Sequence, residues 1–308
     1  MEKVLVTGGM GFIGNYLVSH LLSLGIEVLV LDKSINKPTY FPISGAKIIE
    51  GDVLSHELMH ECLEQVDTCF HLAALSSVPA CAKDWIFSHE NNVLAFNGLM
   101  NELRKVEHHV KLVYASSAAV YGQSKSACLS ESEHVDPTST YGADKLSNEI
   151  YASVLAKVYG INSIGLRLFN VYGPGQLASN PYSGVINSFK NAILAEEPVK
   201  IFGDGKQTRD FIYVTDVVNA FMSAAATPYS QVGVFNVCCG NAISILDLAH
   251  LMMNLLDRQV PIIYEPARPG DVYRSLGDKR LAEQVLQFNA TISMETGLNL
   301  FLKEMRSI

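Results

Sequence analysis

A chain of 308 residues, 48% hydrophobic and 18% charged, is long enough for one large domain or two intimate ones and is ordinary in composition for a globular protein. It has no low-complexity run, charge block or short-period repeat, which speaks against disorder and solenoid architectures. A net charge of −8 leaves no broad basic face for nucleic acid, although a few local arginines are enough for a phosphorylated ligand.

The chain opens directly into Val4-Leu5-Val6, without the charged and apolar stretches of a signal peptide. No run reaches 18 apolar residues, so no membrane span is expected. Cys62, Cys69, Cys81, Cys128, Cys238 and Cys239 form no CxxC pair and no Cys/His cluster, so neither a metal site nor a disulfide framework is read. Cys69, Cys238 and Cys239 lie in apolar runs and read as small core residues. The expected setting is a reduced cytoplasm.

In chain order, the first predicted element is a strand over Lys3–Val6, followed by glycines and a helix over Asn15–Ser23. Gly9, Gly11 and Gly14 fit G-x-G-x-x-G, while Gly8, Gly11 and Gly14 fit G-x-x-G-x-x-G. Between a strand and a helix, such glycines let a backbone turn tightly and approach a pyrophosphate at the helix N-terminus. A second strand, Glu27–Leu31, runs into Asp32, 18 residues after Gly14. A carboxylate there can accept from ribose hydroxyls and repels a 2′-phosphate, which favours NAD over NADP. Lys33 works in the other direction, since a cation could meet a phosphate. The third strand, Ala46–Glu50, leads to Asp52, a candidate for adenine contact.

Strands over Thr68–Leu72, Lys111–Ala115 and Ser163–Leu168 follow, separated by a long helix around Ile86–Lys105 and another around Tyr141–Tyr159. The strands are rich in β-branched residues and read as buried on both faces. This alternation predicts an α/β fold with a doubly wound parallel sheet of Rossmann type. After Gly173-Pro174-Gly175 the rhythm changes. A helix is expected over Gly184–Ala195, a strand over Val199–Phe202, a helix over Thr215–Ala225, a strand over Val234–Cys238 and a helix over Ser244–Leu256, then a turn at Arg268–Asp271. The division expected is a dinucleotide domain over 1–173, with segments around 210–240 returning to it, and a smaller C-terminal substrate domain over 174–308.

Tyr141 and Lys145 stand four apart, on one face of their helix. An ammonium beside a phenol favours the phenolate, and a bound oxidised nicotinamide pushes the same way, so the Tyr141 pKa is expected below its usual value of about 10. A phenolate near neutral pH can take a hydroxyl proton. Ser116 and Ser117 follow a buried strand, where a parallel sheet opens onto a ligand crevice. A hydroxyl there could bond a substrate oxygen and relay its proton. Ser117 reads as the catalytic hydroxyl and Ser116 as a strand cap.

With these residues in place, the chain resembles the extended short-chain dehydrogenase/reductases, and among them the nucleotide-sugar epimerases. The resemblance spans nearly the whole chain. It rests on the runs Thr7–Gly14, Gly51–Val53, His71–Ala74, Ser116–Gly122, Tyr141–Lys145, Arg167–Pro174, Gly203–Phe211 and Arg268–Asp271, and on Asp32. It implies a cofactor site made by Gly8, Gly11, Phe12, Ile13, Gly14, Asp32, Asp52, Val53, Leu72, Ala73, Ala74, Ser76 and Asn92, together with Tyr141 and Lys145. It implies catalysis by Ser117, Tyr141 as base and Lys145 as its partner. Asn170, Arg209 and Arg268 would hold a nucleotide diphosphate and Asp271 a uridine ribose, with Val185 and Ser275 also at the substrate. Ser275, four residues after Asp271, is small and would leave room for an N-acetyl group; a two-residue slip would put Tyr273 there instead.

Within this family, 4,6-dehydratases carry Asp-Glu directly after the catalytic hydroxyl, and UDP-glucuronate decarboxylases a Glu at the second place. Here those places are Ala118 and Ala119, which can be neither acid nor base. The reaction expected is NAD-dependent 4-epimerisation of a UDP-sugar through a 4-keto intermediate, with UDP-N-acetylglucosamine/UDP-N-acetylgalactosamine, UDP-glucose/UDP-galactose, or both. A UDP-glucuronate 4-epimerase and an NADPH-dependent nucleotide-sugar reductase are the alternatives. The resemblance also implies a homodimer packed through helices around Asn92–Lys105 and Tyr141–Val158.

Overall fold

The computed structural model describes residues 1–36, 38–176, 184–268 and 270–303. Its first strands are β1 (Lys3–Thr7), β2 (Glu27–Asp32), β3 (Lys47–Glu50), β4 (Thr68–His71), β5 (Lys111–Ser117) and β6 (Ser163–Leu168). They are followed by β7 (Asn170–Tyr172), β8 (Val199–Phe202), β9 (Thr208–Tyr213), β10 (Gly233–Val237), β11 (Ala242–Ser244) and β12 (Ile262–Glu265). The helices are α1 (Phe12–Ser23), α2 (His56–Leu63), α3 (Val78–Lys83), α4 (Trp85–His89), α5 (Ala95–Leu103), α6 (Thr140–Tyr159), α7 (Val185–Leu194), α8 (Val214–Ala226), α9 (Ile245–Leu256) and α10 (Met294–Lys303).

Seven strands form one sheet in the order β10-β6-β5-β4-β1-β2-β3, every neighbouring pair parallel. Strand alternation divides the core between its faces. Val4, Val6, Val28 and Val30 join one hydrophobic cluster, with Leu17, Leu21 and Phe221 from α1 and α8. Leu5, Leu29 and Leu31 join a second, with Met59, Phe96 and Leu99 from α2 and α5. Helices thus cover both faces, as a doubly wound sheet requires. The order reverses between β1 and β4, so a crevice opens at their carboxyl ends.

Strand β3 departs from the sequence reading. It is an edge strand, with Lys47, Ile48 and Glu50 exposed, so it is not buried on both faces. The long helix expected over Ile86–Lys105 is also corrected. It is broken into α4, a π turn over Glu90–Leu94, and α5.

Small sheets follow the change of rhythm at Gly173. Strands β7, β9 and β11 form one, and β8 pairs with β12. The short strands β7, β9, β11 and β12 were not foreseen. Asp210 fastens β9 to neighbouring loops by accepting from the backbone N–H of Cys239, Gly240 and Gly277 at 2.9–3.2 Å. Among the described residues no helix is long and apolar enough to cross a membrane, and no group of His, Cys, Asp or Glu is arranged to hold a metal ion.

Candidate active site

A cavity of about 550 Å³ opens at the carboxyl ends of β1, β2, β4 and β5. Its glycine-rich floor works by close approach. Gly8 has φ +72°, and a Cβ there would lie 2.7 Å from Ala73 N. A Cβ on Gly14 would lie 2.2 Å from Gly8 O. Both positions therefore exclude every larger residue. Gly9 serves packing instead, because its bare Cα gives way to Val30, whose Cγ1 would be 2.7 Å from a Cβ. Of the two overlapping patterns, the one that faces the cavity is Gly8, Gly11 and Gly14. Gly11 caps α1 without a side-chain bond, so the first amides of that helix have no side-chain acceptor there. A cradle that any Cβ would fill, set against a helix N-terminus, fits a pyrophosphate.

Phe12, Ile13, Asp32, Asp52, Val53, Leu72, Ala73, Ala74 and Ser76 line the same cavity. Asp32 is buried and accepts from Met10 N at 3.1 Å and Ser34 N at 3.0 Å. Asp52 accepts from Leu54 N at 3.0 Å. Asn92 is not among the residues that line the cavity. Its Oδ1 accepts from Leu75 N at 2.8 Å, and its Nδ2 donates to Leu75 O and Ser88 Oγ. The neighbouring Asn91 lines the cavity instead. A π turn holds one residue more than an α turn, so a face counted with the α period slips by one.

At the other end, β5 delivers Ser117 and α6 delivers Tyr141 and Lys145. The start of α6 is capped by Ser139, which accepts from Gly142 N at 3.1 Å. A Cβ on Gly142 would be 2.5 Å from Ala119 O, so only glycine lets the helix press against the Ala118–Tyr121 turn and carry Tyr141 to Ser117. Ser117 Oγ accepts from Ala119 N at 3.1 Å.

Here the electrostatics of the chain alone depart from the part of the expectation that rested on Lys145. Burial pushes the Tyr141 phenol up to about 12, opposed by hydrogen bonding from Ser117. Lys145 does not reverse this, because its Nζ donates to Ala115 O at 2.9 Å and stays 5.8 Å from the centre of the Tyr141 ring. Burial lowers Lys145 to about 8, opposed by Asp144, Cys81 and Glu149. The chain alone thus holds a neutral phenol beside an ammonium that loses its proton easily, and a phenolate needs further positive charge.

Behind this end lies a network that the sequence reading missed. Ser116 is not a plain cap: its Oγ donates to Glu149 Oε1 at 2.5 Å. Glu149 also accepts two bonds from Arg167, at 2.9 and 2.7 Å, and all three residues are buried. Ser116 and Arg167 are paired in register across β5 and β6. The available signal was Glu149, four residues after Lys145 and so on the same side of α6.

His71, also buried, shares a 2.9 Å hydrogen bond with Thr7 Oγ1, which in turn accepts from Ala73 N at 3.3 Å. Burial, and then the Lys145 ammonium, lower its pKa from 6.5 to about 3. Between those values the unfolded chain binds the extra proton, so this contribution to stability is lost as pH falls. His71→Gln should therefore show a flatter dependence of urea midpoint on pH between 6.5 and 3. An unchanged slope would exclude His71 as its source.

The expected nucleotide-sugar residues other than Ser117 do not line this cavity. Arg209 Nη2 lies 2.5 Å from Asp271 Oδ1, joining two of them. The guanidinium of Arg268 stands 3.8 Å from the ring centre of Phe202. Asn170 Nδ2 donates to Asp210 O at 3.0 Å. Val185 begins α7 and packs against the core. Ser275 is buried, whereas Tyr273 is exposed and donates to Asp204 Oδ2 at 3.1 Å. Pro269 of the Arg268–Asp271 turn lies outside the described residues.

Residues 4–238 match the model of the NAD dependent epimerase/dehydratase family. A UDP-glucose 4-epimerase of Mycolicibacterium smegmatis is 33% identical over 313 residues, covering 96% of each chain. A solved UDP-N-acetylglucosamine 4-epimerase from Methanobrevibacter ruminantium M1, in complex with UDP-N-acetylmuramic acid, is 33% identical with a TM-score of 0.92, covering 99% of this chain and 98% of that one. MoeE5 in complex with UDP-glucuronic acid and NAD is 35% identical with a TM-score of 0.89, covering 99% of this chain and all of that one.

Proposed function

The chain belongs to the NAD dependent epimerase/dehydratase family, and on that footing we propose that it is an isomerase, a 4-epimerase of UDP-sugars that uses NAD and a transient 4-keto sugar. One observation carries the reading. Ser117, Tyr141 and Lys145 border the cavity floored by Gly8, Gly11 and Gly14, and the two residues after Ser117 are Ala118 and Ala119. The site has a hydroxyl, a base and a cation, but no acid there for elimination or decarboxylation.

Gly8, Gly11, Gly14 and the first amides of α1 would hold the pyrophosphate of NAD. Asp32 would hold the adenosine ribose, Asp52 and Val53 the adenine, and Leu72, Ala73, Ala74 and Ser76 the remaining part. Bound there, NAD would supply the acceptor and donor of the C4 hydride and a positive charge near the phenol. Tyr141 takes the C4 hydroxyl proton through Ser117 and later gives it back, with Lys145 stabilising the phenolate. Arg209 and Arg268 hold the diphosphate while the keto sugar turns, so that binding energy remote from C4 retains a reactive intermediate. To do so, Arg209 exchanges Asp271 for a phosphate oxygen, and Asp271 turns to the ribose.

Buried, small Ser275 and outward-facing Tyr273 favour a pocket open enough for an N-acetyl group. Lys33 and Lys145 are the cations among the cavity-lining residues. We read the enzyme as a homodimer, because Leu94 beside α5 and Ile150, Tyr151, Val154 and Val158 on α6 are exposed apolar side chains.

Proton NMR of the enzyme with UDP-N-acetylglucosamine, UDP-glucose or UDP-glucuronate, and NAD alone, tests the reaction. Galacto anomeric signals from the first two are expected. Conversion of UDP-glucose alone would close the pocket at C2, and conversion of UDP-glucuronate alone would reassign the substrate. Turnover that needs NADPH would replace the epimerase with a reductase.

A further inference from the structure

One contact in the cavity wall joins two distant parts of the chain. Lys33 follows the last residue of β2, Asn91 lies in the π turn after α4, and both line the cavity. Lys33 Nζ donates to Asn91 Oδ1 at 2.6 Å. The Asn91 amide is held in that orientation, because its Nδ2 donates to Phe87 O at 2.8 Å. Phe87 also presents its ring to the Lys33 ammonium at 5.4 Å, and Asp52 Oδ2 lies 3.9 Å from it. An amide oxygen, an aromatic face and a carboxylate from separate stretches of the wall thus converge on one cation.

Lys33 is half exposed, so none of these contacts is individually strong. Their position matters more. They bridge the end of β2 and the π turn across one side of the cavity, beside Asp32 and Asp52. A ligand seated beside Asp32 and Asp52 has this bridge along one side of it. The ammonium is also directed to partners within the wall.

We propose that Lys33 and Asn91 form a clasp that retains the adenosine end of the dinucleotide and sets its rate of release. The proposal rests on the reading that this cavity takes NAD. A reaction without net redox has no need to exchange its cofactor, so slow release does not limit turnover. A reductase, by contrast, would be limited by such a clasp.

The test measures release of bound NAD from the full chain after a chase with excess unlabelled NAD. Lys33→Met, Asn91→Leu and the double variant are compared with the wild type. Each single change should speed release about two- to fivefold, the effect of losing one half-exposed charged contact. The double variant should release no faster than the singles, because one loss already opens the clasp. Lys33→Met removes a half-exposed side chain and leaves the core untouched, so it remains informative if Asn91→Leu misfolds. Unchanged release from Lys33→Met, or a double effect equal to the product of the singles, would overturn the clasp while leaving NAD binding intact. A wild type that takes up no NAD would overturn the cofactor reading and the clasp together.

Discussion

Tyr141→Phe should cut epimerase turnover by about 10²–10⁴-fold, the contribution of a positioned general base, while NAD affinity stays within about twofold. The ring volume is kept and only the proton acceptor is lost. Ser117 would then have no base to pass a proton to. Because burial sets the phenol at about 12, the wild-type base depends on nearby positive charge. Lys145→Met should therefore lower turnover as well, with a loss that shrinks as pH rises and hydroxide does more of the deprotonation. Turnover by NMR and NAD binding by calorimetry separate the effects. A Tyr141→Phe enzyme with full turnover would remove the base assignment. One that had also lost NAD would make Tyr141 a binding residue.

The glycine run, Asp32 and the Tyr141–Lys145 spacing were legible because each depends on local chain geometry. A glycine needed for close approach, a strand-end carboxylate and a pair four apart on a helix can be counted along the sequence. The parallel sheet was legible for the same reason, from the apolar runs of β1, β2, β4, β5 and β6. What escaped depends on contacts between distant segments. Lys47–Glu50 reads like a buried strand, and only its place at the sheet edge exposes it. Asn91 and Asn92 are adjacent and chemically identical, and a π turn decides which one faces the cavity. The phenol was expected below 10 from the charge of Lys145 and of a bound oxidised nicotinamide. Its burial, and the carbonyl of Ala115 that engages the Lys145 charge, appear only in three dimensions.

The largest expected effect on stability comes from Arg167→Met. Glu149 is buried, accepts two bonds from Arg167 and one from Ser116, and would be left beside an apolar thioether. Removing one partner of a buried ion pair costs about 3–5 kcal/mol, because the remaining charge is desolvated without compensation. The loss extends beyond the pair. Arg167 Nη1 also donates to Tyr121 Oη at 2.9 Å, and the guanidinium lies 4.8 Å from the centre of that ring. Ser116 precedes Ser117 on β5, so weaker anchoring of Glu149 should loosen the strand end that presents the catalytic hydroxyl. Urea unfolding should therefore show a fall in midpoint, and turnover of the folded fraction should fall with it. The companion variant Glu149→Leu/Arg167→Met removes both charges and should recover most of the stability, since replacing a buried pair by apolar groups is often neutral. It should not recover turnover, because replacing Glu149 deprives Ser116 of its acceptor. A single variant that loses less than about 1 kcal/mol would show that solvent reaches Glu149. A double variant as unstable as the single one would place the cost in packing around Tyr121 instead of in the stranded charge.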